Sequence, residues 1–159
     1  MDQVKSNSQL QGMSYKKFII MLLISFLVMY AVMFLNMDSL SHYHTSTTRI
    51  YMALLMIAPM AVLMMAMMGK MYPDKKLNTG IIIGSIVLFG LILAALRTQT
   101  PIGDVQYMKA MIPHHSSAIM VSKHAEIKDP ELKTLSEQII KSQEVEIAQM
   151  EAILKRMKQ

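Results

Sequence analysis

Two thioethers and two imidazoles fall close together at Met108, Met111, His114 and His115, and Gln143, Glu146 and Met150 follow further along the chain. Thioether with imidazole is the donor set that soft Cu(I) or Ag(I) prefers, whereas Mg, Ca and Mn prefer oxygen. Carboxylates such as Asp104 and Glu146 can balance the charge of a bound ion and orient its His ligands. In an oxidising compartment Met supplies sulfur without disulfide chemistry, and this chain has 19 Met and no Cys.

These residues need elements to hold them, and the spacing predicts two helices. The first runs from Asp104, read as its N-cap, to about Ile127. The second starts where an Asp129 N-cap precedes Pro130 and Glu131, and continues to about Met157. An apolar stripe in the second reads Leu132, Leu135, Ile139, Gln143, Glu146, Met150, Ile153, Met157, with two polar residues in its middle. Its counterpart in the first reads Asp104, Met108, Met111, His115, Ala118, Ser122. In an antiparallel hairpin these stripes face each other. Burying unpaired Glu, Asp and His costs several kcal/mol, so partners or a metal are required. Pro113 removes a backbone donor and crowds the carbonyl of Lys109, a bend that could splay His114 and His115 toward different ligands. The plainer alternative makes each Met a core filler and the polar residues a hydrogen-bonded oligomer interface.

The rest of the chain reads as a membrane anchor. Of 159 residues, 53% are hydrophobic and 17% charged, with a mean hydropathy of +0.34, too apolar for one soluble domain of this length. Three uncharged runs, Phe18 to Leu35, Ile50 to Met68 and Gly80 to Leu96, approach the roughly 20 residues needed to cross a hydrocarbon core. The first is too long for a signal-peptide core and lacks a small-x-small cleavage site, so it is read as retained. Lys5, Lys16, Lys17, Lys70, Lys75 and Lys76 lie on one side of the spans, against Arg49, Arg97 and Lys109 on the other. That bias puts the N-terminus inside and the C-terminal segment outside. Tyr15 and Tyr72 on one side, and Tyr43 and Tyr51 on the other, suit interfacial belts. The domains expected are a cytoplasmic polar tail over 1–17, disordered over 1–12, a three-helix membrane domain over 18–97, and an extracytoplasmic helical hairpin over 98–159 that begins with a Thr/Pro/Gly linker.

Composition and motifs exclude other classes. The net charge of +5 belongs to residues 1–97, while residues 98–159 carry eight basic and eight acidic residues, so no basic face serves nucleic acid. Cys zinc sites and thiol redox motifs are absent. Ferritin-like di-iron oxidases need Glu-x-x-His pairs, none of which occurs, and no nucleophile elbow, phosphate loop or zinc-protease motif is present. The expectation is a non-enzyme.

Further candidates lie outside the central cluster. His42 and His44, in the outer loop after Met37 and Asp38, would sit beside the hairpin and could pass metal to it or complete its site; loop His are otherwise solvated. Met120 and His124 offer a peripheral site on another helix face. Met52, Met56, Met60, Met64 and Met68 form a ladder along the second span, and Gly80-x-x-x-Gly84 in the third is a close-packing signal. These short motifs are similar to those of the eukaryotic copper transporter family, which has the opposite orientation. They raise transport as a third reading, although no intramembrane charge marks an ion path.

The pattern Asp104, Met108, Met111-Ile112-Pro113-His114-His115, Ala118-Ile119, then Gln143, Glu146-Ile147 and Met150 resembles the bacterial family named domain of unknown function 305. The likeness covers residues 104–157, and the three spans look like its membrane-anchored subgroup. It implies a helical, ferritin-like bundle, with some periplasmic members binding copper and supporting copper or silver tolerance. By that resemblance Met108, Met111, His114, His115 and Met150 are candidate ligands, and Asp104, Gln143 and Glu146 orient or join them. One hairpin supplies half of a four-helix bundle, which implies homo-oligomerisation or packing on the membrane. The expectation is therefore an all-α protein of the bacterial inner membrane whose extracytoplasmic hairpin binds Cu(I), with Ag(I) or Cu(II) as alternatives, for sequestration, delivery or tolerance. Its partners are the bilayer, further copies of itself and the metal, with a periplasmic metal-handling protein left open. Binding is expected to weaken as His protonates near about pH 6.

Overall fold

The computed structural model describes residues 15–157, and the tail predicted over 1–12 lies outside the described residues. Among the described residues there are five α-helices and no strand. They are α1 (Tyr15–Val32), α2 (Thr47–Met68), α3 (Lys75–Arg97), α4 (Asp104–His124) and α5 (Pro130–Met157), with short 3-10 turns at Leu40–His42 and Gly69–Met71. The all-α expectation holds. The chain divides into two compact units, residues 15–29 with Tyr51–Thr98, and Tyr30–Ile50 with residues 99–157.

Helices α1, α2 and α3 are each long and apolar enough to cross a membrane. Leu23, Ile24, Leu27, Ile83, Ile86, Val87 and Leu91 are exposed on them, an apolar surface that suits a bilayer. Their ends differ from the apolar runs because polar residues start helices as well as stop them. Helix α3 begins five residues before Gly80, since Asp74 Oδ1 accepts from the N–H groups of Lys76 (2.9 Å) and Leu77 (3.0 Å). Helix α2 begins at Thr47, after the buried Ser46, whose Oγ accepts from Arg49 N at 3.4 Å. Helix α1 stops at Val32 instead of Leu35. There the Arg49 guanidinium donates to the Met33 carbonyl and lies 4.2 Å above the Phe34 ring, which satisfies an orphan carbonyl at the helix end.

In the first unit, Phe18, Ala61, Met65 and Tyr72 form a buried cluster, with Leu22, Met64, Met68, Ile81 and Ile82 packed on it. The Met ladder of α2 is thereby divided: Met64 and Met68 serve this core, whereas Met52 and Met56 are exposed. Pro59 sits inside α2, which continues through it. The turn between α2 and α3 is organised by the buried Asn78. Its Nδ2 donates to the carbonyls of Gly69 (3.2 Å) and Tyr72 (3.3 Å), and its Oδ1 accepts from Tyr15 Oη at 2.8 Å. Asn78→Ala leaves these groups unpaired and is expected to destabilise the unit by about 1–3 kcal/mol, read as a lowered unfolding midpoint in detergent.

In the second unit α4 and α5 pack as an antiparallel hairpin. Met108, Ile112, Ile119, Ile147 and Leu154 form its core, with Val105, Ile140 and Met150 against them. Asp129 caps α5 as expected, its Oδ1 accepting from Leu132 N at 2.8 Å. The N-cap of α4 is Gly103 and not Asp104, which takes the first helical position, where a carboxylate still meets the positive end of the dipole. Helix α4 ends at His124, three residues short of the expectation, where His124 Nδ1 hydrogen-bonds the Met120 carbonyl at 2.9 Å.

Candidate metal site

At the middle of the hairpin the two polar stripes meet. His115 Nδ1 lies 3.0 Å from Glu146 Oε2, with the His side chain 14% exposed and the Glu side chain 43%. The approach is off the line of a hydrogen bond, so Nδ1 is buried without a hydrogen-bond partner among the described residues. The other Glu146 oxygen accepts from Ser142 Oγ at 2.8 Å. Burial holds the His115 pKa below its ordinary value; Glu146 opposes that shift and the neighbouring His114 adds to it. Neutral imidazole is therefore the resting form at pH 7, and neutral imidazole is the form that ligates a metal.

The surrounding candidates divide by depth. Met111, one turn before His115, and Gln143 and Met150, one turn either side of Glu146, are half-buried on the same helix faces. Met108 is 5% exposed and belongs to the apolar core, with Met150 packed on that cluster. His114 is exposed, its ring centre 6.2 Å from that of His115. Asp104 lies some 16 Å along the helix axis from His115, where it lines a surface depression with Tyr107, Met108, Ile153, Arg156 and Met157. The structure thus brings His115 and Glu146 together, and leaves Asp104 at the far end. Among the described residues no three His, Cys, Asp or Glu converge, so a closed coordination shell needs the thioethers or a second chain.

The peripheral candidates have other employment. His42 Nδ1 lies 2.8 Å from Ser116 Oγ, His44 is half-buried in the same loop, and His124 is bonded to its own helix beside the half-buried Met120. Sequence reasoning passed over Ser116, which is fully buried and also accepts from Asp38 N at 2.9 Å. Around it the loop between α1 and α2 is strapped along α4 by Asn36 to Ser117 (2.6 Å), Thr47 N to Gln106 Oε1 (3.0 Å) and Lys123 to Asp38 (3.0 Å). Nothing in a lone sequence singles out that serine, because its partners lie 74 and 78 positions away.

The lowered pKa of His115 fixes the sign of a pH effect. The folded hairpin binds fewer protons at this group than the unfolded chain does, so its contribution to stability is present above about pH 6.5. It is lost as pH falls from there through the lowered value. Thermal unfolding midpoints between pH 7.5 and pH 5 should fall more for the natural chain than for His115→Gln, and equal slopes would contradict this assignment.

Residues 92–159 match the family described as Domain of unknown function (DUF305). Over 106 residues the chain is 43% identical to "Uncharacterized protein L153" of Acanthamoeba polyphaga mimivirus, an alignment covering 65% of this chain and 68% of that protein. No solved structure matches the chain.

Proposed function

The chain belongs to the DUF305 family, and from that premise we propose that it is a membrane-anchored, extracytoplasmic binder of a soft cation, Cu(I) or Ag(I), serving sequestration, delivery or tolerance. His115 and Met111 are the ligands of this reading, Glu146 supplies charge compensation, and Gln143 and Met150 complete the surroundings. The observation that carries it is the buried Nδ1 of His115. A ring held neutral has one lone-pair nitrogen to offer a cation, and the carboxylate oxygen 3.0 Å from Nδ1 sets a counter-charge beside it. When bound, the ion supplies a positive centre that both groups can satisfy at once. The protein's own part is to bind and to exclude water; no catalytic step is proposed.

In this reading the N-terminus is cytoplasmic, the hairpin lies outside a bacterial inner membrane, and a second hairpin from another copy completes a four-helix, ferritin-like bundle. The exposed Leu132, Leu135, Ile153 and Met157 of α5 favour such an assembly. They also favour a second reading, a structural membrane oligomer in which Gln143, Glu146 and His115 bond between chains. Competition between the detergent-purified protein and a colorimetric Cu(I) chelator, with Zn(II) as control, separates the two. Selective Cu(I) capture supports the metal reading, and failure to compete leaves the structural one.

A further inference from the structure

We infer that the end of the membrane unit bearing Tyr15 and Asp74 is a binding site for the headgroup of an anionic phospholipid. The inference is independent of the metal reading and starts from a staple. Tyr15 Oη bonds Asn78 Oδ1 at 2.8 Å and lies 3.1 Å from the Asp74 carbonyl oxygen and 3.3 Å from Asp74 N, so the first residue of α1 is fixed to the entry of α3. The Tyr15 ring packs on that of the buried Tyr72 at 5.1 Å.

This staple brings two first turns together. Lys16 and Lys17 occupy the first turn of α1, Lys75 and Lys76 that of α3, and all four are exposed. Both turns also lie at helix N-termini, whose dipoles favour anions. Asp74 is the single acidic residue among this unit's described residues, and its Oδ1 is taken up in capping Lys76 and Leu77. The excess charge is positive and the cap holds the one carboxylate in place.

A lipid fits this patch better than a free phosphate because apolar surface continues directly from the lysines. Ile19 and Ile20 follow Lys17, Leu77 follows Lys76, and all three are exposed. An anion on the lysines is therefore placed with room beside it for acyl chains along the spans. Juxtamembrane basic residues attract anionic lipid by about 1 kcal/mol each, roughly fivefold per lysine.

The test is native mass spectrometry of the full chain in detergent with phosphatidylglycerol, with phosphatidylcholine of the same acyl chains, and with glycerol 3-phosphate as competitor. Phosphatidylglycerol should be retained preferentially, and the Lys75→Gln, Lys76→Gln variant should weaken that retention roughly 25-fold. The same charge change at Lys133 and Lys141, on α5, should leave it unchanged. Equal retention of the two lipids, an equal effect of the α5 pair, or displacement by glycerol 3-phosphate would each overturn the inference. Unfolding midpoints of both variants are measured alongside, and the exposed positions predict no shift in either.

Discussion

Replacing Met111 by Leu together with His115 by Gln is expected to lower Cu(I) affinity at least about 100-fold while leaving the helix content of the hairpin intact. The size follows from the kind of group removed. Loss of an orienting partner alone costs about 10–100-fold in metal affinity, which is the range expected for Glu146→Gln, and loss of two ligands must exceed it. Leu fills the volume of Met with little disturbance, and Gln keeps a polar group opposite Glu146. The variant therefore changes donors more than packing. Chelator competition gives the affinity and far-UV circular dichroism the fold. A structural oligomer would show the reverse pattern, with assembly lost and any weak metal uptake unchanged.

The second large effect is on stability. Ile112 is fully buried at the centre of the hairpin core, in contact with the cluster of Met108, Ile119, Ile147 and Leu154. Ile112→Ala is expected to cost about 2–5 kcal/mol, the transfer loss of the removed carbons plus the cavity they leave. A surface change such as Lys133→Ala, at an exposed position, should stay within about 0.5 kcal/mol. Met108→Leu makes the companion test of what that buried thioether is for. As a core filler it should cost less than about 1.5 kcal/mol and leave Cu(I) affinity unaltered, whereas a tenfold loss of affinity would return Met108 to the ligands. Denaturant titrations of the three variants measure the first set of values.

Much of the architecture was legible because its signals are local. Uncharged runs marked the three apolar helices, and Asp129-Pro130-Glu131 marked the start of α5 through its capping chemistry. The ends of the apolar helices were misread because hydropathy falls silent at polar helical turns: Asp74 with Lys75 and Lys76 begins α3 five residues before the uncharged run that starts at Gly80. The expected stripes do bring His115 beside Glu146, but they lie to one side of the buried faces: the core is built from Ile112, Ile119, Ile147 and Leu154, while Leu132, Leu135, Ile153 and Met157 of the expected α5 stripe are exposed. What periodicity does not give is depth. Met108 and Met111 are three apart on one stripe, yet one is core and the other half-buried. Asp104 shares the stripe and is separated from His115 by about three turns, because a face is a line along the helix and a site is a point on it. The strap of the α1–α2 loop on Ser116 depends on contacts 74 and 78 positions apart, for which no local pattern exists.

The central claim is that imidazole and thioether together hold the ion, and X-ray absorption of the Cu(I)-loaded protein addresses it most directly. The account predicts a first coordination shell containing both sulfur and imidazole nitrogen, with the imidazole signature missing from the His115→Gln protein. A shell of nitrogen and oxygen alone would contradict it, as would a sulfur-containing shell indifferent to that substitution.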